Sequence, residues 1–314
     1  MDLQNKKIVV TGGAGFLGSY VCKKLKEKGA SNIFIPRSSE YDLRIKEICQ
    51  EVVKDANIVI HLAAQIGGIG FINEHCGEVF YNNLVMGVEL MEAARKAGVE
   101  KFVGIGTACE YPEVIPLPFK EVNIWKGSPE DVTAPYGWAK KMLIIQGNAY
   151  KKQYGFNAIH IIPVNLYGPK DNFKREFAHV IPALIRKVVE VRDSNKTTVE
   201  VWGSGTATRE FLYIEDAAEG IVLATKNYNS TDPVNLGTGV ETSIKEVTQL
   251  IIELSDYKGT IKWNPDKPDG QPRRQLDTSK AKTFGFEAKT DLRLGLRKTI
   301  EWYEQNKNTL ERNK

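Results

Sequence analysis

The stretch Lys6-Lys7-Ile8-Val9-Val10-Thr11 runs directly into Gly12-Gly13-Ala14-Gly15-Phe16-Leu17-Gly18, and a helical pattern then continues to Lys28. An apolar strand is thus followed by a glycine-rich turn and an amphipathic helix. Glycines in this order permit a tight turn, a close approach of the backbone to a pyrophosphate, and packing of the helix against the strand. The helix N-terminus offers N–H groups and partial positive charge to phosphates. The stretch therefore predicts a dinucleotide site that includes Gly12, Gly15, Phe16, Leu17 and Gly18.

Strands alternate with helical patterns through the first half of the chain, which predicts βαβ units and a parallel sheet. The almost continuous apolar run within 57–64 suits a strand that is buried on both faces. Later segments are mixed in character. We expect an α/β fold, namely a Rossmann-type doubly wound parallel sheet with a smaller mixed α/β substrate lobe. The nucleotide domain should comprise residues 1–165 plus about 211–240, and the lobe about 166–210 plus 241–314.

Composition excludes several classes of protein. The chain has 314 residues, a net charge of only +4, and basic residues that alternate with acidic ones, so no nucleic-acid surface is expected. No apolar run reaches the roughly 18 residues that a membrane span needs, and the N-terminus lacks a signal-peptide pattern. The four cysteines show no metal-ligand spacing. We expect a cytoplasmic protein without a metal site, and a polar, frayed tail over 304–314.

A second feature bears on the choice of cofactor. The apolar segment 32–36 is followed by Arg37-Ser38-Ser39, about 20 residues past the glycines. An acidic residue at this place would bind the ribose 2′-OH of NAD, whereas an arginine can accommodate a 2′-phosphate. Arg37 and Ser38 therefore favour NADPH, although Glu40 lies close enough to leave NAD open.

The residues with the clearest catalytic potential lie between 105 and 141. Tyr136 and Lys140 are one helical turn apart on the same face. A lysine ammonium near a phenol favours the phenolate, which predicts a lowered tyrosine pKa. Thr107 follows an apolar strand and could hydrogen-bond the same substrate oxygen. The three side chains could hold a carbonyl beside a hydride carrier.

These features together resemble the extended short-chain dehydrogenase/reductase superfamily. Within it, the chain is similar to the GDP-L-fucose synthase family from about residue 6 to about residue 285. The specific resemblance rests on Cys109, on His179, and on the runs Asn165-Leu166-Tyr167-Gly168-Pro169-Lys170-Asp171-Asn172-Phe173 and Trp202-Gly203-Ser204-Gly205 followed by Arg209-Glu210-Phe211-Leu212.

The resemblance implies an activity and a set of site residues. The implied reaction is NADPH-dependent conversion of GDP-4-keto-6-deoxy-D-mannose to GDP-L-fucose, by epimerisation at carbons 3 and 5 and reduction at carbon 4. Cys109 and His179 would be the epimerisation base and acid. Further cofactor contacts would come from Asp42, Leu43, Leu62, Ala63, Ala64, Tyr136, Lys140, Pro163, Asn165, Leu166 and His179. A nucleotide-diphosphate sugar, GDP-linked as the resemblance implies, would contact Asn165, Lys187, Trp202, Arg209 and Arg273. A homodimer would form through helices 81–96 and 136–154, and Asn83 would lie near the catalytic site.

The sequence departs from the family pattern at four positions near the site. Thr107 replaces a serine, Glu110 replaces an apolar residue, and Gly137-Trp138 replaces two small residues, which leaves the sugar open. Two rival classes also remain. One is a nucleotide-sugar epimerase without net redox that retains NAD, similar to GDP-mannose 3,5-epimerase, or a 4-reductase acting on a related deoxysugar. The other is a silent dinucleotide-binding regulator, which would usually lack the tyrosine or lysine.

Overall fold

A computed structural model describes residues 1–174, 177–267 and 270–312. The strands are β1 Lys7–Thr11, β2 Asn32–Phe34, β3 Ile58–His61, β4 Lys101–Ile105, β5 Ala158–Pro163, β6 Asn165–Tyr167, β7 Thr198–Trp202, β8 Thr208–Tyr213, β9 Val234–Leu236, β10 Glu241–Ser243 and β11 Thr260–Asn264. The helices are α1 Phe16–Glu27, α2 Lys46–Val52, α3 Ile69–Glu74, α4 Cys76–Lys96, α5 Ala134–Tyr154, α6 Val180–Asp193, α7 Ile214–Asn227, α8 Ile244–Leu254 and α9 Leu292–Arg312.

Six parallel strands form the main sheet in the order β2-β1-β3-β4-β5-β9. Alternate side chains of each strand enter different cores, as the strand period of two requires. Ile8 and Val10 pack with residues of α1 and α7 on one face, whereas Val9 packs with residues of α2 and α4 on the other. Helices therefore cover both faces, and the Rossmann-type α/β prediction is confirmed.

A second layer of structure follows β5. Strands β10, β8 and β6 form a small sheet, and β11 pairs with β7. Helices α6, α8 and α9 enclose these strands around a separate apolar core that contains Val188, Ile251 and Leu296. This layer, which we call the substrate lobe, stands beside the carboxyl edge of the main sheet because β6 begins two residues after β5 ends.

One strand assignment from the sequence is wrong. The segment that begins at Phe211 was expected to return to the main sheet, but Phe211–Tyr213 belongs to β8, which pairs with β6 and β10. Strand β6 has already left the main sheet and offers β8 a parallel partner. The chain returns to the main unit only with α7, which packs against α1, and with β9, which pairs with β5.

The expectation of a frayed tail is also wrong for the residues that the structure describes. Helix α9 continues to Arg312, whereas Asn313 and Lys314 lie outside the described residues. Its apolar side, with Ile300 and Tyr303, is buried in the substrate lobe. Glu304 and Lys307 form ion pairs with Arg192 and Asp193 at the end of α6. Burial of one helix face outweighs the polar composition of the segment. Among the described helices, none has the length and apolar character to cross a bilayer.

Candidate active site

The glycine-rich turn has the geometry that a bound pyrophosphate requires. Gly12 has a φ of +68°, and a Cβ there would lie 2.9 Å from the Ala63 nitrogen. A Cβ on Gly18 would lie 2.1 Å from the Gly12 oxygen. No side chain caps α1, whose N-cap is Gly15, so its first N–H groups remain available to an anion. The cradle therefore fits a dinucleotide phosphate group, with Phe16 and Leu17 in the first helical turn.

The cradle lies where the strand order reverses, because β1 has β2 on one side and β3 on the other. Leu62, Ala63 and Ala64 follow β3 and border the turn, and the Ala63 N–H donates to Thr11 Oγ1 at 3.3 Å. At the far side, Pro163 ends β5, and Asn165 Nδ2 donates to the Glu210 carbonyl at 3.3 Å. Leu166 is half-buried beside it.

The residues that follow β2 are arranged for contact with the ribose end of a dinucleotide. Arg37 and Ser38 are exposed, and the Arg37 guanidinium makes no hydrogen bond within the described part of the chain. Leu43 is buried, and Asp42 pairs with Arg44, whose guanidinium and backbone N–H lower the pKa of that carboxyl. Helix α2 begins at Lys46, after a turn in which the Asp42 side chain accepts the Arg44 N–H.

Replacing Arg37 with alanine should raise the Michaelis constant for NADPH about tenfold and leave that for NADH nearly unchanged. A guanidinium hydrogen-bonded to a phosphate contributes an interaction of about 1.5–3 kcal/mol, which NADH lacks. Initial-rate kinetics with both cofactors measure the two constants. Lys46→Ala is a control on the same surface, and equal effects of Arg37→Ala on both cofactors would contradict the assignment.

The carboxyl end of β4 leads into a short turn that carries two catalytic candidates. Thr107 precedes the 3-10 turn Ala108–Glu110, and its Oγ1 accepts the Cys109 N–H at 3.2 Å. Glu110 Oε1 in turn accepts the Thr107 N–H at 2.8 Å. Both ends of the turn are thus fixed by hydrogen bonds, and the Cys109 side chain remains partly accessible.

Helix α5 brings its tyrosine and lysine to this turn. A Cβ on Gly137 would lie 2.3 Å from the Cys109 oxygen, so the glycine after Tyr136 lets the helix touch the cysteine backbone. Lys140 Nζ lies 6.0 Å from the centre of the Tyr136 ring. Tyr136 and Lys140 are both buried. The structure therefore brings Thr107, Cys109, Tyr136 and Lys140 together at the carboxyl edge of the sheet.

The expected lowering of the tyrosine pKa does not occur in this arrangement. Burial raises the pKa of Tyr136 far above its ordinary value, and the charges of Cys109 and Glu110 raise it further. Burial also lowers the pKa of Lys140 to about 8, against the opposing effect of Glu110. Desolvation outweighs the attraction that the sequence spacing suggested. Tyr136 is consequently a protonated phenol, which is the form that a proton donor needs.

His179 belongs to the substrate lobe. It is the N-cap of α6, and its side chain makes no hydrogen bond among the residues that the structure describes. The residue is exposed, yet the surrounding protein lowers the pKa of its ring by desolvation. The lowered pKa favours the neutral imidazole.

Of the adjacent arginines Arg273 and Arg274, the one that reaches the catalytic turn is Arg274, a contact that the sequence did not predict. Its Nη1 donates to Cys109 Sγ at 3.7 Å, and its other nitrogens contact Glu130 and Gln271. The expected substrate residue Arg273 instead forms an exposed ion pair with Glu241. Neighbouring arginines of this kind cannot be distinguished by spacing, because the side to which each points depends on the loop conformation.

Three residues that were predicted to bind the substrate lie in the substrate lobe, namely Trp202, Lys187 and Arg209. Trp202 is 61% exposed, and the ammonium groups of Lys187 and Lys267 lie 5.7 and 5.4 Å from the centre of its ring. Lys187 Nζ donates to the Glu200 carbonyl, and burial lowers its pKa. Arg209 Nη1 donates to the carbonyl groups of Thr208 and Gln271, at 2.7 and 2.6 Å.

Asn83, the family position that was expected near the site, is a buried residue of α4. Its amide group donates to the Gln65 carbonyl at 2.8 Å and accepts the Gln65 N–H at 3.0 Å. Asn83 is therefore not a surface residue of its helix, and its side chain fixes the loop after β3.

Comparison with known proteins agrees with this geometry, since residues 8–237 match the NAD dependent epimerase/dehydratase family. The chain belongs to that family. It is 36% identical to the GDP-L-fucose synthase of Sinorhizobium fredii over 305 residues, covering 97% of each chain. A GDP-6-OMe-4-keto-L-xylo-heptose reductase from Campylobacter jejuni superposes with a TM-score of 0.91 at 26% identity, covering 98% of this chain and 99% of the other. A GDP-L-fucose synthetase from Naegleria fowleri bound to NADP gives 0.89 at 29% identity, covering 98% and 96%.

Proposed function

We propose that this protein is an NADPH-dependent epimerase and reductase that converts GDP-4-keto-6-deoxy-D-mannose to GDP-L-fucose. The observation that carries the proposal is the direct contact between the Cys109 turn and the Tyr136 helix at Gly137. A dehydrogenase of this kind needs only a hydroxyl, a tyrosine and a lysine. The Cys109 thiol adds a base that can remove a proton from carbon. Similarity to GDP-L-fucose synthases over nearly the whole chain supports the same reaction.

The first operation is inversion at the two carbons beside the ketone. Cys109, as a thiolate, takes the proton from the carbon, and the electron pair moves to the carbonyl oxygen to give an enolate. Thr107 and Tyr136 hydrogen-bond that oxygen and stabilise its charge. His179, from the substrate lobe, would return a proton to the opposite face of the carbon. Cys109 lies at the end of β4 and His179 at the start of α6 in the lobe, so base and acid come from different structural units.

The second operation is reduction of the ketone. NADPH, when bound in the glycine cradle, would supply the hydride for carbon 4. Tyr136 donates its phenolic proton to the carbon-4 oxygen as that oxygen gains charge, and the raised pKa of the buried phenol keeps this proton available at neutral pH. The Lys140 ammonium then stabilises the phenolate that remains. The glycine cradle and Arg37 would hold the phosphates of the cofactor.

The lobe would bind the nucleotide portion of the substrate. The exposed ring of Trp202 offers a face for a base or sugar, and the neighbouring lysines supply positive charge for a diphosphate. Arg209 is the arginine that we assign to the diphosphate, and Asn165, where β5 passes into the lobe, would contact both ligands. The same proposal places the protein in the cytoplasm, where a thiol such as Cys109 stays reduced.

A homodimer is part of this proposal. Helices α4 and α5 pack side by side on the main sheet, and their outer surface exposes Phe80, Tyr81 and Ile145 at 40%, 59% and 48%. Two copies could bury these surfaces as a four-helix bundle. Replacing Ile145 with glutamate should convert a dimer to a monomer, as measured by light scattering coupled to size exclusion. Val122→Glu, on an exposed residue elsewhere, should leave the mass unchanged, and a monomeric parent protein would refute the dimer.

The function is tested by following NADPH oxidation with GDP-4-keto-6-deoxy-D-mannose and determining the product by proton NMR. The proposal expects stoichiometric oxidation and a product inverted at carbons 3 and 5. The UDP-linked 4-keto-6-deoxy sugar is the matched control for recognition of the guanine nucleobase. Oxidation without inversion would instead identify a simple 4-reductase, and inversion without oxidation would identify an epimerase with retained NAD.

A further inference from the structure

Glu110, the last residue of the catalytic turn, has a carboxylate that is completely shielded from solvent. Both of its oxygens lie 3.0 Å from His160 Nε2, and one of them also accepts the Thr107 N–H. His160 belongs to β5 and is itself 3% exposed. A buried carboxylate is costly unless it is paired and hydrogen-bonded, and this one is both. The pair therefore connects β5 to the backbone of Thr107.

Two glycines, Gly104 in β4 and Gly106 directly after it, leave space for the pair. A Cβ on Gly106 would lie 2.1 Å from Glu110 Oε1 and 2.3 Å from His160 Nε2. A Cβ on Gly104 would lie 3.4 Å from His160 Nδ1. The glycine immediately before Thr107 is thus required by this carboxylate and imidazole.

The hydrogen bonds between Thr107 and Glu110 form a capping box, and a second capping box in the chain shows that burial of the carboxylate is not needed for capping. At the start of α8, the Ser243 hydroxyl accepts the Glu246 N–H, and the Glu246 carboxylate accepts the Ser243 N–H. Glu246 is exposed and has no imidazole partner among the described residues. Helix-turn capping alone therefore requires neither burial nor His160.

The charge of Glu110 reaches the proton-transfer groups. It opposes the burial that lowers the pKa of Lys140, and it adds to the burial that raises the pKa of Tyr136. Other groups that face Lys140 are the Tyr136 ring on its own helix and His61 on β3, whose pKa is lowered chiefly by burial and further by the lysine. Of these, only Glu110 is an anion that favours a protonated lysine.

We propose that Glu110 and His160 form a buried positioning pair that fixes the Thr107–Cys109 turn and holds a negative charge next to it. The proposal rests on the proposed reductase function for its kinetic consequences, but the pair and its charge are properties of the fold. Relatives with an apolar residue at position 110 would have to hold this turn in another way.

Glu110→Gln is the sharpest variant, because the amide oxygen still accepts the Thr107 N–H while the charge is removed. We expect the alkaline limb of the pH profile of kcat to move by about one pH unit toward acid, since the charge of Glu110 raises the pKa of Lys140 and a nearby opposite charge shifts a pKa by this order. The Michaelis constant for the nucleotide sugar should change less than about twofold, because Glu110 is buried away from ligands. Lys140 should show the same shift in an NMR titration of lysine-labelled protein.

Glu246→Gln is the matched control and should leave the kcat profile and the Lys140 titration unchanged. If Glu110→Gln does not fold, the double variant Glu110→Met/His160→Leu removes both partners together and should show the same acid shift. An unchanged Lys140 titration in a folded variant would overturn the proposal. If the wild-type protein does not turn over the sugar, the proposed function fails, and the NMR titration still tests the pair.

Discussion

Replacing Tyr136 with phenylalanine is expected to reduce turnover of the 4-keto sugar by about 10²–10⁴-fold, the range that a positioned general acid contributes. The ring that packs beneath the cleft is kept, and only the phenolic proton is lost. Because the cradle lies on β1 and α1, NADPH should bind with nearly unchanged affinity. Cofactor fluorescence measures the affinity, and steady-state NADPH oxidation measures the turnover.

Tyr228→Phe is a suitable control for the loss of a buried hydroxyl. Tyr228 donates a hydrogen bond to the Asp232 carbonyl at 2.7 Å on the side of α7, away from the catalytic turn. Its replacement should change stability but not turnover per folded molecule. Turnover of Tyr136→Phe within about tenfold of wild type would show that another group donates the proton, and Thr107 would be the next candidate.

Replacing Cys109 with serine should separate the two operations of the enzyme. A hydroxyl is a far weaker base than a thiolate, so deuterium uptake at carbons 3 and 5 in heavy water should fall by at least about a hundredfold. Reduction needs Thr107, Tyr136 and Lys140 but not the thiol. The variant should therefore reduce the ketone slowly and give a sugar with its original configuration at both carbons. Proton NMR of the product measures the exchange and the configuration.

Cys76→Ser provides the control, since Cys76 is an exposed thiol at the start of α4. It should retain the exchange and inversion of the parent protein. His179→Gln should keep some proton abstraction but misplace the returning proton, so exchange would exceed inversion. Wild-type exchange at both carbons in Cys109→Ser would remove the thiol from the mechanism and leave only 4-ketone reduction.

Local sequence patterns were sufficient to predict the main sheet. The spacing of Gly12, Gly15 and Gly18 reports a backbone geometry that few other residues permit, so the cradle could be predicted in detail. The second layer was harder because its strand partners are chosen by the three-dimensional arrangement. Strand β8 pairs with β6. The sequence pattern of 208–213 does not distinguish that pairing from a place in the main sheet. The polar tail was misjudged because packing of Ile300 and Tyr303 stabilises the helix there.

The candidate site also combines residues that the sequence could predict with contacts that it could not. Thr107, Tyr136 and Lys140 could be proposed from spacing and strand position, and the structure brings them together with Cys109. The direction of the Tyr136 pKa could not be predicted, because it depends on the burial of the phenol, which spacing does not report. The contact of Arg274 with Cys109 and the pairing of Glu110 with His160 join residues far apart in sequence. Only the departure of Glu110 from an apolar family position gave any sign of that pair.

The position of β9 has a consequence for synthesis of the protein. Strand β5 finds its last partner only in Val234–Leu236, after the chain has built α6, β7, β8 and α7. During translation the outer edge of β5 therefore emerges from the ribosome long before the strand that covers it. An uncovered edge of buried apolar sequence is a template for pairing with other chains. Rapid production should accordingly favour aggregation of nascent chains, and slower translation at lower temperature should raise the yield of native protein.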